Sequence, residues 1–407
     1  MVLRRNFQER YIFMAVSARI QGFMSQASWI RKMFEEGDSL KRQYGEDSVF
    51  DFSLGNPNVE PPPEVEEHLR RAAEEPIPNK HGYMPNAGYT ETREAVAAHL
   101  ADIHGVPVSF KNVIMTCGAG GALNVILKVL IDPGDEVMVF APFFVEYRFY
   151  VDNAGGITRI VKTNDDFSLD IKAIEEAFTA KTKVVLINSP NNPTGKVYDE
   201  ASIKALAALL SEKSRTGGKN IYLVSDEPYG DIVYDGIKVP SIFAAYNNSI
   251  IVSSYSKNLS LPGERIGYLA INPQINNADT VIDAAIMCNR ILGFVNAPAL
   301  MQRIIARLQG VHVDVERYRQ KRDLLCGGLA AAGYRFNKPE GAFYLFVRSP
   351  IEDDVSFVKA LVEERILTVP GSGFGGPGHF RIAYCVDDAT ILKAMGGFGK
   401  TLRKFSQ

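Results

Sequence analysis

Short runs of β-branched and aliphatic residues alternate with helix-patterned segments through the middle of this 407-residue chain, and that alternation restricts the fold more than any other feature. Residues 112–116, 135–140, 184–187, 221–224, 250–252 and 266–271 read as strands. Between them lie helical stretches, such as 122–131 and the Ala/Leu-rich 200–214. Strands that are apolar throughout and separated by helices need cover on both faces, so the expected class is α/β with a mostly parallel sheet. In such sheets ligands bind beyond the carboxyl ends of the strands. Four of the runs lead into polar or glycine-rich clusters there: residues 118–121, Asn191-Asn192, Asp226-Glu227 and residues 254–257.

The length exceeds what one hydrophobic core usually organises, so two domains are expected. Pro61-Pro62-Pro63 interrupts the chain, and from about residue 305 a long charged helix is followed by strands and a glycine-rich loop at 371–378. The reading is an N-terminal extension at 1–23, a large domain at 63–304, and a small domain from 24–62 and 305–407. Arg4-Arg5 resembles a twin-arginine export motif, but the apolar stretch after it is short and closed by Arg19. Met14 and Met24 are alternative starts. No run of 18 apolar residues is present, so no transmembrane helix is expected. A net charge of −2 offers no general attraction to nucleic acid or acidic membranes. The four cysteines are scattered without zinc spacing, and the six histidines include no HExxH. Reduced thiols in the cytoplasm and no metal site are the expectation.

Lys257 follows a buried-type strand in Ser253-Ser254-Tyr255-Ser256-Lys257, with Arg265 eight residues on. An amine there is readily deprotonated and nucleophilic toward a carbonyl. The serines Ser254 and Ser256 and the guanidinium suit a phosphate. Pyridoxal phosphate (PLP) carries both an aldehyde and a phosphate. Asp226, at a strand end, needs a cation or hydrogen bonds to offset its burial; a protonated pyridine nitrogen supplies one, and a helix cap is the alternative. Asn192, in Asn191-Asn192-Pro193-Thr194-Gly195, reads as a turn whose amide, like the Tyr229 hydroxyl, is placed to bond a ring oxygen. Gly118, Ala119 and Gly120 open a helix and present free backbone N–H groups to an anion. Phe144 is either a ring-stacking residue or core. Arg381, flanked by Phe380 and Ile382, requires a carboxylate, internal or from a substrate.

Taken together these residues resemble the class I aminotransferases, the aspartate-aminotransferase-like PLP enzymes of fold type I. The resemblance spans most of residues 25–400 and includes Ser53-Leu54-Gly55-Asn56-Pro57 and Tyr83. It implies a mostly parallel seven-stranded sheet flanked by helices in the large domain, with a small α+β domain from both termini. It implies that Lys257 carries the cofactor as a Schiff base and moves protons, that Asp226 pairs with the pyridine nitrogen, and that Asn192 and Tyr229 bond the ring oxygen. Phe144 stacks on the ring, and Gly118, Ala119, Gly120, Ser254, Ser256 and Arg265 hold the phosphate. Arg381, with the Gly55 backbone near it, clamps the substrate α-carboxylate. Tyr83 reaches the neighbouring subunit's phosphate, so a homodimer is implied.

The implied activity is transfer of an amino group between an L-amino acid and a 2-oxo acid, with 2-oxoglutarate as acceptor and aspartate as a plausible donor. Some bacterial aspartate aminotransferases that resemble this chain carry a lysine in the loop equivalent to 118–121, where it serves the substrate's side-chain carboxylate. Gly120-Gly121 provides no such group here, and Arg290 is the candidate in its place. A PLP-dependent C–S β-lyase shares the same cofactor residues, and a non-catalytic PLP-binding regulator is a more distant reading.

Overall fold

The computed structural model describes residues 16–26, 37 and 39–405. Arg4-Arg5 and Met14 therefore lie outside the described residues. The strands in chain order are β1 (Phe50–Asp51), β2 (Val113–Thr116), β3 (Glu136–Ala141), β4 (Ile157–Lys162), β5 (Thr182–Asn188), β6 (Tyr222–Asp226), β7 (Ser249–Ser254), β8 (Gly267–Ile271), β9 (Tyr344–Arg348), β10 (Ile366–Leu367), β11 (Val369–Pro370) and β12 (His379–Ala383).

β2 to β8 form one seven-stranded sheet in the order β2-β8-β7-β6-β5-β3-β4. The run from β7 through β4 is parallel. β8 is antiparallel to both β7 and β2. Two reversals restore the direction, so β2 points the same way as β5, β6 and β7. The polar clusters that follow these four strands consequently meet at one edge, as the alternation predicts. β4 has no counterpart in the sequence reading. It is an edge strand with Ile157 and Ile160 exposed, so it lacks the apolar run of the interior strands.

The period-two alternation of each strand divides its side chains between two cores. Met138, Val185, Leu223 and Ile251 face one, packed with helices Thr90–His104 and Glu200–Gly217. Val139, Leu186, Val224 and Ile250 face the other, packed with helices Gly118–Leu130 and Ala278–Ile291. Each of these fully buried aliphatic side chains contributes about 1.5–3 kcal/mol of transfer free energy. Asp199 starts the Glu200–Gly217 helix by accepting a hydrogen bond from the Ser202 N–H at 2.7 Å, and Gly218 ends it in the left-handed conformation.

A third core joins Phe52 to residues 313–398 around the antiparallel sheet β11-β12-β9 and the helices Val315–Ala332 and Asp388–Phe405. Tyr229, Ile232 and Tyr234 belong to it as well, so the segment after β6 is anchored in this core. A parallel pair, β1 with β10, ties the beginning of the chain to its end. Near the N-terminus, helix Ala18–Gln26 packs on helix Tyr147–Asn153. The Arg19 guanidinium donates to Asp152 at 2.7 Å, and Phe23 meets Phe149 edge-on at 4.9 Å. Among the described residues no helix is long and apolar enough to cross a membrane, and no group of three His, Cys, Asp or Glu side chains is arranged to hold a metal ion.

Candidate active site

A cavity of 370 Å³ lies at this sheet edge. Twelve of the residues singled out from the sequence line it: Gly55, Ala119, Gly120, Phe144, Asn192, Asp226, Tyr229, Ser254, Ser256, Lys257, Arg265 and Arg381. They come from segments separated by up to 326 positions and are brought together by the sheet order and by the third core.

Lys257 sits in the single turn Tyr255–Asn258 directly after β7. Its Nζ donates to the Gly55 carbonyl at 2.8 Å and lies 5.4 Å from the Phe343 ring centroid. Burial pulls the ammonium down to about 8; Cys385 opposes this, and the nearby Arg381 and Arg265 charges add to it. A substantial neutral fraction is therefore present near neutral pH, as a nucleophile or base requires.

Asp226 ends β6 and is 5% exposed. Tyr147 donates to its Oδ2 at 2.6 Å, and the Asn188 amide donates to its main-chain carbonyl at 2.8 Å. Oδ1 is buried without a partner. Burial pushes the carboxyl up to about 7, with the Tyr147 hydrogen bond acting against the shift. The carboxyl caps no helix. An unpartnered buried carboxylate oxygen facing a cavity fits a cationic N–H donor such as a protonated pyridine nitrogen.

The Asn191-Asn192 pair divides its work. Asn191 Oδ1 accepts from the Thr194 N–H at 3.1 Å and its hydroxyl at 2.8 Å, making the turn. Asn192 lines the cavity, and its Oδ1 accepts from Arg381 Nη1 at 3.2 Å. Arg381 also donates to the Ser53 carbonyl, and its guanidinium lies between the rings of Tyr344 and Phe374, 4.7 and 4.8 Å from their centroids. Its Nε is buried without a partner, and among the described residues no carboxylate pairs with it. The internal carboxylate left open by the sequence is thus not found, and burial lowers the guanidinium from its ordinary value. A planar cation held this way, with donor capacity unspent, is suited to an incoming carboxylate.

The anion-binding corner has tight backbone geometry. Helix Gly118–Leu130 begins without a side-chain cap, so its first N–H groups are free where Ala119 and Gly120 reach the cavity. Gly118 has φ 72° and lies against Arg265, whose Nη2 would be 2.9 Å from an added Cβ. Gly267 is also required: a Cβ there would come within 2.8 Å of the Gly118 backbone and closer still to the Ser253 carbonyl. Ser254 caps no backbone group, which leaves its hydroxyl available.

Further residues of the cavity wall were not singled out from the sequence, among them Glu146, Asn188 and three tyrosines. Tyr147 holds Asp226, Tyr344 shares a 2.9 Å hydrogen bond with Tyr229, and Tyr150 stands against Gly120. Phe144, half-buried, meets Tyr147 edge-on at 5.6 Å. The repeat 144–147 after Pro142 has helical spacing and offered one sequence signal for Tyr147. Tyr344 carries none, because it comes from the distant β9. Two predicted residues lie elsewhere. Tyr83 is 93% exposed, and Arg290 is exposed near the end of helix Ala278–Ile291, outside the cavity of its own chain.

Residues 47–398 match the family model of aminotransferases of class I and II. An aspartate/prephenate aminotransferase of Thermus thermophilus is 34% identical over 369 residues, covering 89% of this chain and 93% of the relative. A probable aspartate aminotransferase of Methanocaldococcus jannaschii is 35% identical, covering 85% and 91%. A crystal structure of an aminotransferase from Eubacterium rectale superimposes with a TM-score of 0.94 at 40% identity, covering 97% of this chain and all of that one. With its seven-stranded sheet, its lysine and aspartate in one cavity and these matches over most of its length, the chain belongs to the class I and II aminotransferases of fold type I.

Proposed function

We propose that this protein is a PLP-dependent aminotransferase moving an amino group between an L-amino acid and a 2-oxo acid. The observation that carries the reading is the pairing, in one cavity, of a half-buried lysine pulled down to about 8 with a buried aspartate whose Oδ1 has no partner. Lys257 would hold the cofactor through its aldehyde carbon. Asp226 would hold the pyridine nitrogen, Asn192 and Tyr229 the ring oxygen, and Phe144 a ring face. Gly118, Ala119, Gly120, Ser254, Ser256 and Arg265 would hold the phosphate. When bound, the cofactor supplies an electron sink for the pair left at the substrate Cα after proton removal.

The remaining steps belong to the chain. Arg381, fixed by Asn192 and Ser53, orients the amino acid by its α-carboxylate. The Lys257 amine, held near the Gly55 carbonyl, would take the proton from the substrate Cα and hold it for return. Tyr147 keeps Asp226 oriented and charged, so that the bound ring stays protonated.

The exposed Tyr83, with the exposed apolar residues Met287, Ile291 and Leu292, supports a homodimer in which Tyr83 reaches the partner's cavity. The four unpaired cysteines support a reducing, cytoplasmic setting. The names of the relatives support aspartate as the first donor to assay, with 2-oxoglutarate as the proposed acceptor. The test is a donor screen with and without acceptor. An aminotransferase yields new amino acid only when a 2-oxo acid is present. Release of pyruvate and ammonia from cystathionine without acceptor would assign a C–S lyase instead.

A further inference from the structure

One cavity-lining carboxylate has no role in the scheme above. Glu146 lies between Phe144 and Tyr147, at the start of helix Tyr147–Asn153. Its two neighbours on this wall are held in place, Tyr147 by Asp226 and Phe144 against Tyr147. Glu146 itself makes no ion pair and no side-chain hydrogen bond among the described residues. It is half-buried, and burial raises its carboxyl above the ordinary value. One turn on, Tyr150 feels its charge and stands against Gly120. Among the described residues no cation offsets it on this wall. Arg148 is turned away onto the Phe143 ring. The cations that do line the cavity, Lys257, Arg265 and Arg381, are all assigned in the reading above.

We infer that Glu146 is a specificity-determining residue: it disfavours substrates with a second carboxylate and favours amino donors whose side chain ends in a nitrogen N–H donor, an ammonium, guanidinium or amide. This rests on the aminotransferase reading but not on aspartate as donor or 2-oxoglutarate as acceptor, since both carry a second carboxylate. Arg381 provides for one carboxylate. A second one directed at Gly120, Glu146 and Tyr150 meets a like charge in a partly desolvated place, where opposition is strongest. An N–H group there gives an unpaired acceptor its missing partner.

The test compares wild-type and Glu146→Gln holoenzymes. Donor half-reactions of lysine, ornithine, asparagine, aspartate and alanine are followed singly by cofactor absorbance, each expressed relative to alanine. Affinity for succinate, a dicarboxylate that cannot react, is measured by calorimetry. In the wild type at least one nitrogen-ended donor should exceed aspartate by about tenfold or more, and Glu146→Gln should reduce that ratio and tighten succinate by about tenfold. A wild-type preference for aspartate would overturn the inference. So would an unchanged donor order and succinate affinity in the variant, or a common slowing of every donor, alanine included. If no donor reacts with the wild type at all, the aminotransferase reading itself falls, and this inference with it.

Discussion

Replacing Asp226 with asparagine separates what this carboxylate costs the cofactor-free protein from what it contributes to cofactor binding. Its carboxyl is pushed from 3.8 to about 7 by burial. A carboxylate whose folded value lies above its unfolded value binds its proton more tightly in the native state. Its contribution to stability is thus lost as pH rises from about 4, and the loss is complete above about 7. A difference of about three pKa units corresponds to about 4 kcal/mol at 1.36 kcal/mol per unit. Asparagine keeps an acceptor for the Tyr147 hydroxyl but never ionises. The cofactor-free Asp226→Asn protein should match the wild type near pH 4 and exceed it by up to about 4 kcal/mol at pH 8. With an unfolding entropy of about 2.1 cal/mol/K per residue, that is about 5 °C in Tm for a chain of this length. Scanning calorimetry of both apo-proteins across this pH range reads the difference directly. Half-buried Glu227, pushed up to about 8 chiefly by burial and in part by the Asp226 charge, adds its own dependence to both proteins. The part owed to Asp226 disappears in the variant, so the difference between the curves is read as the effect of the pair. Adding cofactor should reverse the order, since only the aspartate compensates a ring cation. Parallel pH–Tm curves for the two apo-proteins would refute the reasoning, because the carboxyl would then not be held protonated by its surroundings.

Three further outcomes follow from the same geometry. Tyr147→Phe removes the 2.6 Å hydrogen bond to Asp226 and should weaken cofactor binding by about tenfold to a hundredfold, the range of a lost hydrogen bond to a charged group, as read by absorbance titration of the apo-protein. Because Lys257 is lowered to about 8, its neutral amine grows as pH rises through that value; the rate at which apo-protein recaptures cofactor should climb between about pH 7 and 9, faster than labelling of a surface lysine, which titrates near 10.4. Arg381→Gln should raise the donor KM by about tenfold or more while leaving the cofactor absorbance in place, since its unspent donors face the substrate carboxylate.

The sheet was legible because its strands are buried on both faces and therefore uniformly apolar; β4, an exposed edge strand, had no such signature. The reversal at β8 was not legible, since Leu269, Ala270 and Ile271 are as buried as a parallel strand's residues and carry no mark of direction. Lys257, Asp226 and Asn192 could be found because each follows or ends a recognisable strand. Gly55 and Tyr83 rested on family resemblance, as neither has a local chemical signal. Tyr344 was missed because it acts from β9, 115 positions from the Tyr229 hydroxyl it bonds. Tyr147 was missed because a tyrosine at helical spacing from a phenylalanine reads first as core, and it is indeed core that also holds a charge.

The most direct test of the central claim is borohydride reduction of the purified protein loaded with cofactor, followed by digestion and mass spectrometry of the cofactor-bearing peptide. The account predicts one modified lysine, Lys257, and no stable adduct in a Lys257→Ala protein. Attachment at another lysine, or none after loading, would contradict it.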